Sequence, residues 1–273
     1  MAKKEERLYT TGEVAKIFSI NKNTLFYYDK IGLFSPNYRK GNTNYRYYGS
    51  DQMKILDTII SLRAMGIPIR KLKEFINNMN TNSFLDLIEL ENQHLRSIID
   101  EYSIKMKTIQ ELSRRIKVAQ EAIPNQLIIT REEHRYFLAM NIDKTCNDPE
   151  LAWNGAYEKI WDTIDTAKII TIGSSLKRNE FDNGQFDRLD KVVGYTILKT
   201  KDKLEKGVYA NIYIHGSYDR LDDGYSLFRK LLRENGLNVI SDIHEEYVIE
   251  AMSEKNEENY TTHLFALVDK VDE

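Results

Sequence analysis

The chain has 273 residues, 41% hydrophobic and 30% charged, which is enough for two small domains and a connector, and no apolar run is long enough to span a membrane. A single cysteine, Cys146, excludes an internal disulfide framework and a cysteine-pair metal site; the opening MAKKEER lacks an apolar signal region, so a cytoplasmic protein without cofactor or metal is expected. The net charge of −3 hides an asymmetry: residues 1–80 hold 14 Lys/Arg against 7 Asp/Glu (+7) and the remainder 25 against 35 (−10), which suits a polyanionic partner at one end only.

Two short amphipathic segments come first. Val14, Ile17 and Phe18 recur at helical spacing behind Thr10 and Thr11, residue types that cap helix N-termini. After the polar break Ser19-Ile20-Asn21, a second segment carries Leu25 and Tyr28 on one side and Lys22, Asn23 and Tyr27 on others. Two short helices with a tight turn outline a helix-turn-helix, whose second helix enters a major groove. Gly32 stops that helix. From Phe34 to Tyr48 an aromatic, basic hairpin is expected around Lys40-Gly41-Asn42, with Arg39, Tyr45, Arg46 and Tyr47 on its arms, as a wing along a DNA backbone.

A helix over 50–65 follows, with Ser50 as N-cap and Ile55, Ile59, Leu62 and Met65 on one side. Gly66 and Pro68 break it, and a short helix from Pro68 to Asn78 sets Ile69, Leu72, Phe75 and Ile76 against Arg70, Lys71 and Lys73. Between Ser83 and Ala122 there is neither Gly nor Pro. Steps of four and three give Ile88, Asn92, Leu95, Ile99, Tyr102, Met106, Ile109, Ser113, Ile116, Gln120 and Ile123, and so many apolar positions read as a coiled-coil seam. Such a helix is ~60 Å long and can hardly bury its seam within its own chain, so a homodimer is expected, in an orientation the residues leave open.

Pro124-Asn125 ends the rod. Beyond it strand-helix-strand-strand occurs twice: strand 135–142, helix 149–167, strands 168–175 and 190–199, then strand 208–216, helix 220–235, strands 237–250 and 260–269. The fold class expected is therefore α+β. The domains are 1–80 (winged helix-turn-helix), 81–124 (dimerising helix) and 125–273 (a duplicated ligand-binding domain with a cleft between its halves). Aromatics crowd that last domain, and Trp153, Tyr157 and Trp161 recur every four residues on one helix. Alternation over Ile243–Ile249 puts Ile243, Glu245, Tyr247 and Ile249 on one face, which makes Glu245 an acid in an apolar row. It awaits a ligand cation, a lysine or solvent. Glu246 and Glu250 fall on the opposite face as alternatives. His215 reads as a structural hydrogen-bonder. No phosphate loop or catalytic triad is present.

The segments TTGEVAKIFSINKNTLFYYDKIGLF, NYRYY and SLRAMGIPIRKLKEFI resemble, in order and spacing, the N-terminal pattern of the MerR family of transcription regulators. Members commonly carry Arg before the paired tyrosines, where this chain has Phe26. The resemblance implies DNA contacts from Thr11, Lys22, Asn23, Thr24, Tyr27, Tyr28, Arg39, Tyr45, Arg46 and Tyr47, with the pair of helices after the hairpin as a second wing. It implies an antiparallel coiled coil and a pseudo-palindromic site in an over-long promoter spacer of double-stranded DNA. RNA polymerase is then a partner through the promoter alone. GVYANIYIHGSYDRLDDGYSLFRKLLRENGL followed by EEY resembles the gyrase-inhibitor-like effector-binding domain of multidrug-responsive members. That likeness implies an aromatic, cationic small-molecule ligand beside Tyr157, Glu245, Tyr247 and His263, and the polar-tipped aromatics Trp153, Tyr209 and Tyr213 join these candidates by residue type. In this alignment His263 replaces a buried acid and widens tolerance towards neutral or anionic ligands. Two other readings stay open: hydrolysis of a small molecule by the Glu245 and Tyr247 pair, and constitutive DNA binding without ligand.

Overall fold

The computed structural model describes residues 7–41, 45–165 and 168–270 and divides into two compact units, Met1–Ile99 and Asp100–Glu273. The division falls inside the long helix, whereas three segments parted at 80 and 124 were expected. Asn42 of the expected hairpin turn, the first six residues of MAKKEER and Ala167 at the end of an expected helix lie outside the described residues.

In the first unit, β1 (Leu8–Thr10) leads into α1 (Thr11–Ile17) and α2 (Lys22–Lys30). Thr10, one residue ahead of Thr11, is the cap. Its hydroxyl accepts from the Glu13 amide at 3.3 Å while Glu13 Oε2 accepts from the Thr10 amide at 2.8 Å, so two otherwise unpaired donors are satisfied reciprocally. Asn21 caps α2 on the Asn23 amide at 2.8 Å, and Gly32 at φ +69 turns the chain out of that helix. The hairpin of β2 (Tyr38–Lys40) and β3 (Tyr45–Gly49) pairs Arg39 with Arg46, and β1 adds a third strand that its three residues gave no periodicity to reveal. In α3 (Ser50–Ala64) the cap is Gly49 rather than Ser50. Buried Gln52 takes over the capping work, accepting from the Gly49 and Asn37 amides at 3.2 Å each and donating to the Ser35 carbonyl at 2.7 Å. With α4 (Ile69–Asn77) these elements close over Val14, Leu25, Phe34, Tyr48, Leu56 and Leu72. Phe34 and Tyr48 stack at 5.3 Å.

The long helix α5 runs from Thr81 to Glu121. Leu87 is buried in the first unit's core and Ile88 packs against it. Along the middle, Leu95, Ile99, Tyr102, Met106 and Ile109 are all 45–67% exposed. Its last turns belong to the second unit, where Ile116 and Ala119 meet Tyr213 and Val248.

The second unit contains β4 (Ile128–Glu132), β5 (Arg135–Asn141), α6 (Pro149–Thr163), β6 (Ile169–Leu176), α7 (Arg178–Asn183), β7 (Leu189–Thr196) and β8 (Asp202–Leu204). It continues with β9 (Gly207–His215), α8 (Leu221–Glu234), β10 (Leu237–Val239), β11 (Ile243–Ile249) and β12 (Thr261–Lys270). One antiparallel sheet runs β4-β9-β12-β11-β6-β7-β5-β8, with β10 on β12. The duplication is visible in that order, since β5-β7-β6 and β9-β12-β11 meet back to back at the β6–β11 seam. The single strand expected over 237–250 is two, because β10 leaves β11 to pair with the far end of β12. On α8, Tyr225, Phe228 and Leu232 bury one stripe against Ile212, Ile214 and Leu264.

At the seam Glu245 pairs with Ser174 and Glu246 with Gly173. A Cβ on Gly173 would run into the Glu245 carbonyl and the Glu246 Cα, so the two halves approach as closely as they do only with glycine there. Gly173→Ala should therefore destabilise the second unit by about 1–3 kcal/mol. Both tryptophans, Trp153 and Trp161, lie in that unit, so urea unfolding followed by tryptophan fluorescence measures the loss.

Candidate functional site

Strand alternation sends neighbouring side chains to opposite faces, and at the seam this separates two buried carboxylates. Glu245 and Glu246 are each 1% exposed. Glu245 lies on the face covered by α6 and α8, at the floor of a cleft of about 670 Å³. Glu246 lies on the face towards the last turns of α5.

Among the described residues the Glu245 carboxylate is held by hydroxyls alone. Tyr225 on α8 donates to one oxygen at 3.0 Å and Tyr247 donates to the other at 2.5 Å. Behind Tyr247 the chain of donors continues through Ser174 at 2.9 Å to the Trp153 indole N–H, also 2.9 Å from the serine. Tyr247 gives its one proton to Glu245, so Ser174 is the donor in that pair and the indole N–H supplies the serine. Tyr218, Tyr260 and Phe186 complete the aromatic lining. The same cleft is lined by Glu150, Asp187, Asp222, Glu245, Glu250 and Glu257, and by no Lys or Arg among the described residues. Burial raises the Glu245 carboxyl above its ordinary value of 4.5; hydrogen bonds from Tyr247 and Tyr225 pull the other way without cancelling it. Glu250, expected on the far face, reaches the cleft because a bulge after Tyr247 breaks the alternation.

On the opposite face Glu246 is ion-paired with Arg115 of α5 and, at 2.8 Å, with Arg135 of β5, and it accepts from the Thr171 hydroxyl. Burial, then the charge of Arg135, lowers the Arg115 guanidinium to about 9. His263 belongs to this group. It stacks on Tyr213 at 4.5 Å, and its Nε2–H donates to Asn211 Oδ1 at 2.9 Å, an acceptor that fixes the tautomer. Burial and three arginines hold its pKa well below the ordinary histidine value, so it is neutral.

Of the residues expected at a ligand, the structure gathers Trp153, Glu245 and Tyr247 in the cleft. Tyr157 stands behind Trp153, stacked at 5.1 Å. Tyr209, Tyr213 and His263 face the other side of the sheet, where Tyr209 donates to the Glu205 carbonyl at 2.6 Å. The β11–β12 register opposes His263 to Glu246, which removes the basis for a histidine beside the ligand. His215 Nε2 is buried with no hydrogen-bond partner among the described residues, against the hydrogen-bonding role expected of it. Tyr218 and Tyr225 were not singled out for the site. Tyr225 sits in the apolar stripe of α8, where its sequence position marks it as core; its hydroxyl becomes informative only once β11 is known to lie beneath.

At the other end of the chain, the outward face of α2 carries Lys22, Asn23, Phe26, Tyr27 and Lys30, with Thr24 half-buried. Tyr28 is in the core and leaves the set expected at DNA through its side chain. Thr11 is half-buried at the start of α1, Tyr45 is exposed and Tyr47 half-buried on β3. The two wing arginines converge on Asp29 of α2: Arg39 bridges both oxygens at 2.8 and 2.7 Å, and Arg46 Nε sits 2.7 Å from one of them. Burial pushes the Asp29 carboxyl up, but hydrogen bonds from Arg46, Ser35 and Arg39 outweigh it and hold it below the usual range.

The buried Glu245 carboxyl has a consequence for stability. Its folded pKa lies above its unfolded one, so folding takes up a proton in the window above about 4.5, and stability falls as pH rises through that window. Glu245→Gln removes the cost. Its urea midpoint without ligand should exceed that of wild type at about pH 7, and the two should converge as the pH drops below the window.

The MerR HTH family regulatory protein pattern matches residues 9–79. Over 99% of this chain and 100% of the relative, the sequence is 25% identical to the multidrug-efflux transporter 2 regulator of Bacillus subtilis. It is 27% identical to the multidrug-efflux transporter 1 regulator of the same organism, over 95% of this chain and 98% of the relative. It is also similar, at 32% identity over 39% of this chain and 40% of the relative, to the transcriptional regulator BrlR of Pseudomonas aeruginosa. Helix-turn-helix, wing and sequence pattern coincide over the same residues, and residues 9–79 of this chain are a MerR-family helix-turn-helix domain.

Proposed function

We propose that the chain is a dimeric transcription regulator that binds promoter DNA through its first unit and aromatic cations through the cleft of its second. One observation carries the ligand class. Glu245 is a buried carboxylate whose partners are tyrosine hydroxyls, at the floor of an aromatic cleft rich in acids and, among the described residues, bare of Lys and Arg. A carboxylate in that setting is stabilised by a cation, and each ring that faces it adds ~0.5–2 kcal/mol. The names of the relatives, regulators of multidrug-efflux transporters, agree with such a ligand.

The dimer is inferred from α5. Leu95, Ile99, Tyr102, Met106 and Ile109 form an exposed apolar row at spacings of three and four, which a second copy of the helix would cover. Two-fold symmetry then presents two α2 helices to a pseudo-palindromic promoter spacer, and ligand favours the state that distorts the DNA. The route from ligand to helix is short. Glu245 meets the cleft while Glu246, the next residue, is ion-paired to Arg115 of α5. A cation that alters the position or charge of β11 alters that ion pair, and differential affinity for the two states is what coupling requires. RNA polymerase responds, in this reading, to the promoter geometry.

Two experiments separate these parts. The first is calorimetric titration with N-methylquinolinium and its neutral shape-match 1-methylnaphthalene. Glu245→Gln should weaken the cation by about tenfold or more and the neutral compound by less than about twofold. Equal losses would make the carboxylate structural, and release of p-nitrophenolate from p-nitrophenyl acetate by wild type but not by Glu245→Gln would favour the hydrolase. The second is sedimentation of Ile99→Asp, which should give monomers; a stable dimer would move the interface off this row.

A further inference from the structure

On the exposed face of α2, Lys22 and Lys30 suit phosphates and Asn23 suits a base edge, but Phe26 suits neither. Its side chain takes no part in the core beneath and is 40% exposed. The ring is also held in place. The Arg46 guanidinium lies over it, 4.9 Å from the centroid, and is fixed there by Asp29, which takes its Nε at 2.7 Å. Asp29 stands three residues after Phe26 on the same helix, so wing and recognition helix are clasped around the ring. An exposed aromatic would otherwise gain by folding back on its own helix. A cation–π contact from the wing opposes that and limits the ring's freedom before DNA arrives.

A ring presented in this way has one sequence-dependent apolar counterpart in a major groove. Phosphates and the polar base edges offer it nothing and the C–H surface of the sugars is the same at every base, whereas the thymine 5-methyl group is a compact apolar surface on the groove floor. We propose that Phe26 is a specificity-determining residue that reads a thymine methyl in each half-site, with Arg46 and Asp29 positioning its ring. The inference rests on the DNA-binding reading above and goes beyond it by naming the base contact.

Replacement of thymine by deoxyuridine deletes only the methyl and leaves pairing and hydrogen-bond edges intact, so it isolates this contact. A duplex is first selected by the full-length protein from a random pool. Each thymine is then replaced singly, and binding is followed by fluorescence anisotropy at fixed salt. Wild type should lose about three- to fivefold at one thymine per half-site, the value of one buried methyl. In Phe26→Ala that penalty should disappear while the salt dependence stays that of wild type, because no phosphate contact has been touched. Indifference of wild type to uracil at every position would overturn the inference, and so would the same penalties in Phe26→Ala. Failure to select any duplex would instead overturn DNA binding itself, and this contact with it.

Discussion

Two consecutive glutamates buried in one strand constrain the second unit more than any other feature. A strand cannot send neighbours to the same side, so Glu245 and Glu246 must be accommodated separately, each by a different face. An unpaired buried carboxylate is expensive, and the two faces deal with that cost differently. Beneath Glu246 the answer is charge, from Arg115 and Arg135. Around Glu245 it is hydrogen bonding from Tyr225 and Tyr247, which leaves the negative charge uncompensated. Neutralisation is complete on one face and unfinished on the other, and the unfinished face is the one that opens into a cleft.

The duplication places this asymmetry at the centre of the sheet. β11 is joined to β6 across the seam, so the halves share the strand that bears both acids. From the first half comes α6 with Trp153, from the second α8 with Tyr225, and the cleft lies between them. The far side is closed by the last turns of α5. In the proposed reading, that arrangement lets one strand sense an aromatic cation on one face and act on the dimerising helix through the other. The first unit applies a related device on a smaller scale, where Asp29 gathers Arg39 and Arg46 and so fixes the wing to the recognition helix.

The helices were legible because their signals are local. Apolar spacing, Gly32, Gly66 and Pro68 locate α2, α3 and α4, and the absence of Gly and Pro locates α5. Strand-helix-strand-strand repetition was visible for the same reason. What the sequence could not supply was register. Alternation identified Glu245 and Tyr247 as sharing a face, but the partner of Glu246 on β12 depends on the loop between residues 250 and 260. A bulge in β11 between Tyr247 and Ile249 brings Glu250 to the cleft, and the register that opposes His263 to Glu246 turns the histidine away from it. Tyr209 and Tyr213 were grouped with the ligand candidates by residue type, yet their strand turns them to the α5 side. Tyr225 was hidden by the opposite effect, since an aromatic within an apolar helical stripe looks like core whether or not its hydroxyl meets a carboxylate.

The proposed link between cleft and helix is open to one direct measurement: crystal structures of the full-length protein with and without N-methylquinolinium. The expected result is a ring among Trp153, Tyr218 and Tyr247, its charged nitrogen beside Glu245, and an altered pairing of Glu246 with Arg115. A cation seated in another cavity, or one at Glu245 that leaves the Arg115, Glu246 and Arg135 cluster unchanged, would contradict it.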